Sequence, residues 1–329
     1  MKPIASLSLD LDNEWSYLKT RGDASWTAFP SYLDVVVPRF LEMLEEFGLR
    51  ITVFIVGQDA ALEKNAGALR AIAAAGHEIG CHSFKHEPWL HRYTPDELDH
   101  ELTSATDVIT AATGVRPVGF RGPGFSLSRA TLETLVRLGY RYDCTTFPTY
   151  IGPIARRYYF WTAKLSKAER EQRDALFGSF EDGHRPLHGY LWDLDGRSLV
   201  EIPVTTFPVV KLPIHFSYLL YLTQYAPALA EPYFRTALAA CRLFGVEPSL
   251  LLHPLDFLCA DDVAPSLKFF PAMALPLERK LRVLRRLIAC YQESFSILTV
   301  GEHAAQLASR ATTPRRSAAF GFAPTAPVC

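Results

Sequence analysis

His77-Glu78-Ile79-Gly80-Cys81-His82-Ser83-Phe84-Lys85-His86 places two histidines four residues apart behind a short apolar run. That spacing lets His82 and His86 present imidazoles to one ion from a single tight turn, and Gly76 and Gly80 permit the bends such a loop needs. Upstream, Leu7-Ser8-Leu9-Asp10-Leu11-Asp12-Asn13-Glu14 alternates apolar and polar and ends in carboxylates. It reads as a strand delivering Asp10 and Asp12 at its C-terminal end. Two neutral imidazoles and one carboxylate leave room for water on a divalent ion, the donor set of a hydrolytic metal site.

Around that stretch the chain alternates strands and helices. Residues 4–12 read as the first strand and 13–31 as a polar and aromatic loop over its end. Helices are expected over 32–47, 60–75, 95–113 and 127–138, each followed by Gly. Strands are expected over 49–57, 77–80, 118–121 and 140–144. Right-handed parallel crossovers build this rhythm. Asp10, Asp12, His82, Arg121 and Asp143 then fall at strand C-terminal ends, where parallel folds carry their sites. The rhythm breaks at about 147–200, read as an insertion on one domain with an aromatic run, Tyr158–Trp161, and a charged helix over 164–176. It resumes with a strand over 199–204, a long helical stretch over 214–244, a strand ending in His253, a helix over 277–293 and a last strand over 295–300. Residues 1–309 are taken as one catalytic domain and 310–329 as a disordered tail.

The chain has 329 residues and is 49% hydrophobic, enough for a full core. Lys plus Arg number 34 against 35 Asp plus Glu, so nothing favours non-specific nucleic-acid binding. Six scattered cysteines without a Cys-x2-Cys pair point to a reduced compartment. With no signal-like segment before the first strand and no long apolar run, a cytoplasmic protein is expected.

In order, the chain carries Asp-x-Asp at 10–12, His-Ser-x2-His at 82–86, Arg-Gly-Pro-Gly-Phe at 121–125, Tyr-Asp at 142–143 and Leu-His-Pro at 252–254. This set resembles the polysaccharide deacetylase superfamily, the NodB-homology or carbohydrate esterase family 4 group, over about residues 4–302. The resemblance implies a distorted, incomplete (β/α) barrel with its metal at the strand C-termini. It implies Asp10 as general base, Asp12, His82 and His86 as ligands of one divalent ion expected to be zinc, Arg121 as the partner of the base, and His253 as general acid. Asp143 is the implied partner of His253, with Asp256 as its rival. Gly124, Phe125 and Trp89 are implied at the substrate. The ion would polarise an amide carbonyl and acidify a water. A carboxylate would take the water's proton and an imidazole would protonate the leaving amine.

The sequence departs from the family in three places. Leu11 separates the two aspartates, as in the similar arabinose-lipid deformylase, Gly124 replaces an aromatic residue, and the fourth motif, around Tyr142-Asp143, lacks the usual tryptophan. The activity expected is removal of an N-acyl group, acetyl first, from an amino sugar. A deformylase, another non-peptide C–N hydrolase and a silent carbohydrate-binding relative are the alternatives. The aromatic stretches 158–161 and 216–222 are read either as ordinary core packing or as a wall beside the site that contacts a lipid-linked precursor or a membrane surface, with Lys164, Lys167, Arg170 and Arg173 meeting phosphate.

Overall fold

The computed structural model describes residues 2–152, 157, 167, 171, 180–268 and 270–318. The order is β1 (Ile4–Asp10), α1 (Glu14–Arg21), α2 (Leu33–Glu46), β2 (Thr52–Ile55), α3 (Gly57–Ala60), α4 (Ala66–Ala74), β3 (Glu78–Cys81), α5 (Pro95–Thr113), β4 (Gly119–Phe120), α6 (Arg129–Arg137) and β5 (Tyr142–Asp143). After it come β6 (Tyr190–Leu194), β7 (Arg197–Glu201), α7 (Phe216–Tyr225), α8 (Pro227–Leu243), β8 (Ser249–Leu252), α9 (Leu277–Ser294), β9 (Ser296–Leu298), α10 (Val300–Ser309) and β10 (Arg315–Ser317).

The strands form one sheet in the order β10-β6-β7-β5-β4-β3-β2-β1-β8, with β9 also on β1. Every pairing is parallel except the β6–β7 hairpin. The sheet is open, as an incomplete barrel requires. β1 is flanked by β2 on one side and by β8 and β9 on the other, and is buried along Ala5–Asp10. Its apolar residues Leu7 and Leu9 belong to the main core. Its buried serines bond inward: Ser8 Oγ accepts from Arg121, and Ser6 Oγ meets His303 Nδ1 at 3.0 Å.

Local chemistry sets the element ends. Thr94 and Glu97 form a reciprocal cap on α5, which stops at Gly114 with φ 75°. Gly80 serves close packing and not a bend, because a Cβ there would lie 2.4 Å from the Phe54 ring. Gly76 does take φ +77°.

Four expectations need correction. The segment 13–31 is not all loop, since Asn13 caps α1 through its side chain and Gly22 closes it. The stretch 214–244 is two helices: Pro227 lacks an N–H and excludes helical backbone at Ala226, which takes φ −140°. The region 147–200 is not wholly outside the sheet, because β6 and β7 extend it beyond β5. The segment read as a disordered tail from residue 310 carries a strand, since Arg315–Ser317 pair with β6. Tyr158–Trp161, Lys164, Arg170 and Arg173 lie outside the described residues, as do 319–329. Lys167 is described, is 93% exposed and faces Glu171 at 3.9 Å.

Candidate active site

The strand ends converge as expected. Asp10 ends β1, His82 follows β3, Arg121 follows β4, Asp143 ends β5 and His253 follows β8. Beyond Asp10 the chain turns at once, with Asp12 N–H on the Asp10 carbonyl at 2.8 Å. The turn separates the two carboxylates into different partner sets.

Asp12 Oδ1 lies 2.9 Å from His86 Nε2 and 3.3 Å from His82 Nε2, and the three donor atoms fall within 4.8 Å of one another. His82 Nδ1 sits 2.6 Å from the Arg121 carbonyl. That contact makes Nδ1 the donor and leaves the Nε2 lone pair facing Asp12, the arrangement of a metal-ligating imidazole with a carbonyl behind it. The donor set therefore fits a divalent ion. Burial would raise the pKa of Asp12, but His86 and His82 outweigh it and hold the carboxyl well below its usual range. Burial opposes charge on His82, yet Asp12 and Asp10 together raise its pKa.

The ligand loop is held under strain. Ser83 and His86 adopt φ 60° and 52°, positions that side chains rarely take. Glu101 on α5 over-determines them, its Oε1 accepting from Phe84 N–H at 2.9 Å and Lys85 N–H at 2.6 Å. Gly57 lets this loop approach, since a Cβ there would meet Phe84 at 2.7 Å and Ala105 at 2.9 Å.

Asp10 takes the other partner. Arg121 Nη1 donates to Asp10 Oδ1 at 2.7 Å and to Ser8 Oγ at 2.8 Å, and its Nε donates to the Cys144 carbonyl at 3.0 Å. The guanidinium is fully buried over the Phe54 ring, 4.7 Å from its centroid. Burial disfavours its charge, but Asp10 more than restores it and raises the pKa.

His253 Nδ1 lies 2.9 Å from Ser217 Oγ, which donates to Asp256 Oδ2 at 3.0 Å. Asp256 Oδ2 also accepts from His253 N–H at 2.8 Å. The serine oxygen accepts from Nδ1–H, so Nε2 is the nitrogen left to carry a transferable proton. Asp256, through Ser217, therefore orients His253. Asp143 does not: it lies opposite Glu201 across β5 and β7. Burial first, then Glu201, raise its pKa well above the usual range, and Thr145 Oγ1 donates to it at 2.5 Å. It belongs to a buried carboxyl pair and has no bond to His253.

Gly124 and Phe125 form a turn with φ 59° and 62°, and Phe125 stacks on Phe147 at 4.7 Å. Trp89 is only 7% exposed and its indole bonds to Glu87, so it braces the loop and offers little face to a substrate.

Three residues without a motif complete the site. Burial first, then the negative charge of nearby Asp12, raise the pKa of the Tyr17 phenol well above the usual value. Ser217 links His253 to Asp256. The His215 ring lies 6.1 Å from His253 and 5.9 Å from Phe147. Burial, with His253 and Arg121 nearby, pushes its pKa down to about 3, so it is neutral. The Asn13 cap could have exposed α1, and hence Tyr17, in the sequence.

Behind the site, Asp59 Oδ1 accepts from Asn13 Nδ2 at 2.7 Å, Trp15 Nε1 at 2.9 Å and Asn65 Nδ2 at 3.0 Å. Burial, only partly offset by Asn13 and Trp15, pushes its pKa up to about 7. Below that value the folded protein keeps a proton that the unfolded chain has released. This contribution to stability is full below the ordinary carboxylate value and is lost as pH rises through about 7. Its slope is at most about 1.4 kcal/mol for each pH unit crossed. Asp59→Asn is expected to flatten the fall in Tm between pH 5 and pH 8. An unchanged profile would place the proton on another group.

Residues 21–142 match the family model described as polysaccharide deacetylase. Over that span the chain is similar to the polysaccharide deacetylases. The Helicobacter pylori protein named peptidoglycan deacetylase is 31% identical over 110 residues, which is 33% of this chain and 36% of that one. A Shewanella sediminis protein, named as a 4-deoxy-4-formamido-L-arabinose-phosphoundecaprenol deformylase, is 34% identical over 88 residues, 25% of this chain and 28% of that one. The chain spans about a third of the length of the curated relatives it matches. A solved structure from Mycobacterium smegmatis, assigned to the polysaccharide deacetylases, shares the fold: TM-score 0.64 and 23% identity over 96% of this chain and 93% of that one. The family match includes His82, His86 and Arg121. Asp10, Asp12 and His253 lie outside it, and their place in the site comes from the geometry.

Proposed function

We propose that this protein is a metal-dependent hydrolase that removes an N-acyl group, acetyl first, from an amino sugar. The observation that carries the reading is the convergence of three units at one sheet end: the Asp12–His82–His86 cluster, the Asp10–Arg121 pair and the His253–Ser217–Asp256 relay. The mixed nitrogen and oxygen donors suit zinc. When bound, the ion supplies Lewis-acid polarisation of the amide carbonyl and acidifies a water.

The chain's own groups do the proton work. Asp10, held by Arg121, takes the proton of the attacking water. His253, once protonated on both nitrogens, gives the Nε2 proton to the departing amine, and Ser217 holds the ring by accepting from Nδ1–H. Tyr17 offers a hydroxyl between the two sides. These acid and base groups weigh against a silent carbohydrate-binding protein.

The similarity to a protein named as a deformylase favours a second reading, in which the acyl group is formyl and the sugar is carried on a lipid. Acetate and formate release from a panel of N-acyl sugars, with and without zinc, tests both. Zinc-dependent release of acetate supports the first reading and formate alone the second. Release of neither from the zinc-loaded protein would overturn hydrolysis of these acyl groups. Ser217→Ala is expected to lower kcat about tenfold with little change in metal content, since it removes an orienting hydrogen bond. A kcat equal to wild type would leave His253 oriented by something else.

A further inference from the structure

The orientation of His253 depends on a short turn, Pro254–Phe257, that begins at the next residue. Asp256 in that turn accepts on one oxygen, Oδ2, from the His253 N–H at 2.8 Å and the Ser217 hydroxyl at 3.0 Å. Within the turn, Asp256 N–H reaches the His253 carbonyl at 3.0 Å. The position of the turn therefore sets whether Ser217 can meet His253 Nδ1, now 2.9 Å away.

The turn is gripped from behind. Lys280, near the start of α9, is fully buried and shares the core face of that helix with Leu284, Leu287, Ile288 and Tyr291. Such a position ordinarily carries an apolar side chain. Lys280 Nζ donates to the Leu255 carbonyl at 3.0 Å and to the Leu258 carbonyl at 2.6 Å, with Met273 Sδ at 3.6 Å. The Leu255 carbonyl belongs to the peptide that leads into Asp256. Arg39 of α2 takes the Phe257 carbonyl at 3.2 Å while pairing with Asp262 at 2.6 and 2.9 Å.

The three acceptors of Lys280 are neutral, so its charge is buried without an ion-pair partner among the described residues. Burying a charge in that way is costly, and packing alone favours an apolar residue of similar volume. Burial pushes its pKa down to about 8, and Asp256 leads the groups that oppose the fall. A cation kept there against burial serves the turn and not the core.

We propose that Lys280 is a positioning residue: it clamps the turn after His253 so that Asp256 and Ser217 hold the His253 ring in one orientation and one tautomer. Lys280 acts only through the turn. Its effect on turnover rests on the hydrolase reading, and its effect on the ring does not.

The test uses zinc-loaded full-length protein with isotope-labelled histidine nitrogens, His253 being assigned with His253→Gln. Nuclear magnetic resonance reads which ring nitrogen carries the proton while the ring is neutral. Wild type is expected to show one tautomer, protonated on Nδ1. Lys280→Met is expected to show a mixture of both, with kcat about tenfold lower and KM little changed. Adding Lys280→Met to Ser217→Ala is expected to cost little more than Ser217→Ala alone, because both act on one ring. Lys280→Gln is one bond shorter and cannot hold both carbonyls, so it gives the same defect in smaller measure if the Met variant does not fold. A merely structural lysine would change Tm and leave the tautomer and the kcat of folded molecules at wild-type values. That result in whichever variant folds would overturn the clamp, as would additive losses with Ser217→Ala. If wild type releases neither acetate nor formate, the hydrolase reading falls, and the tautomer alone upholds or overturns the clamp.

Discussion

Asp10→Asn lowers kcat by about 10²- to 10⁴-fold while leaving metal content unchanged, the effect of losing one acid-base group. Asp10 is not in the ligand cluster; its Oδ1 is engaged by Arg121 at 2.7 Å. An asparagine keeps the acceptor for that guanidinium and removes only the basicity. His253→Ala is expected to cause a loss of similar size from the acid side. The two variants should differ in their pH profiles, since one loses the group that must be unprotonated and the other the group that must be protonated. Arg121→Met makes a useful contrast. It strands a buried carboxylate, and breaking a buried pair from one side costs about 3–5 kcal/mol. Its defect should therefore appear in Tm as well as in kcat, whereas Asp10→Asn should fold normally. Near-normal turnover in Asp10→Asn or His253→Ala would move that role to another residue.

His82→Ala is expected to abolish activity and to reduce bound zinc from one ion per chain to a trace. His82 supplies one of three donors, and its Nδ1 contact with the Arg121 carbonyl at 2.6 Å fixes the ring. A two-donor remnant of Asp12 and His86 does not hold a divalent ion against buffer. Stability gives a readout separate from turnover. Zinc that binds only the folded state raises Tm, by a free energy of RT ln(1 + [L]/Kd). Wild type and Asp10→Asn should show that rise, and His82→Ala should not. Unchanged stoichiometry in His82→Ala would refute the cluster as the metal site.

Much of the site was legible because its residues are tied to strand ends by local sequence. Asp10, His82, Arg121 and His253 each follow a short apolar run, and a parallel sheet gathers such positions at one edge. Asp143 was read from the same logic and sits at a strand end, yet its neighbour is Glu201. That pairing depends on β7 joining the sheet beside β5, a long-range choice within a stretch read as insertion. The choice between Asp143 and Asp256 was likewise unreadable, because Ser217 decides it from a helix with no motif. Trp89 sits among ligand-loop residues in sequence but turns inward to Glu87.

The sequence by itself determined the alternation of strands and helices, the helix ends at Gly, the His82–His86 pair and the edge of the sheet on which chemistry would sit. All of these follow from short-range preferences: burial periodicity, backbone freedom and capping. Only the tertiary structure decided that Asp256 and not Asp143 serves His253, that Asp143 meets Glu201, and that Tyr17, His215 and Ser217 enter the site. The physical reason is that a hydrogen bond between distant residues is fixed by sheet order and helix packing. Those are set by the whole buried core and by no single stretch of the chain.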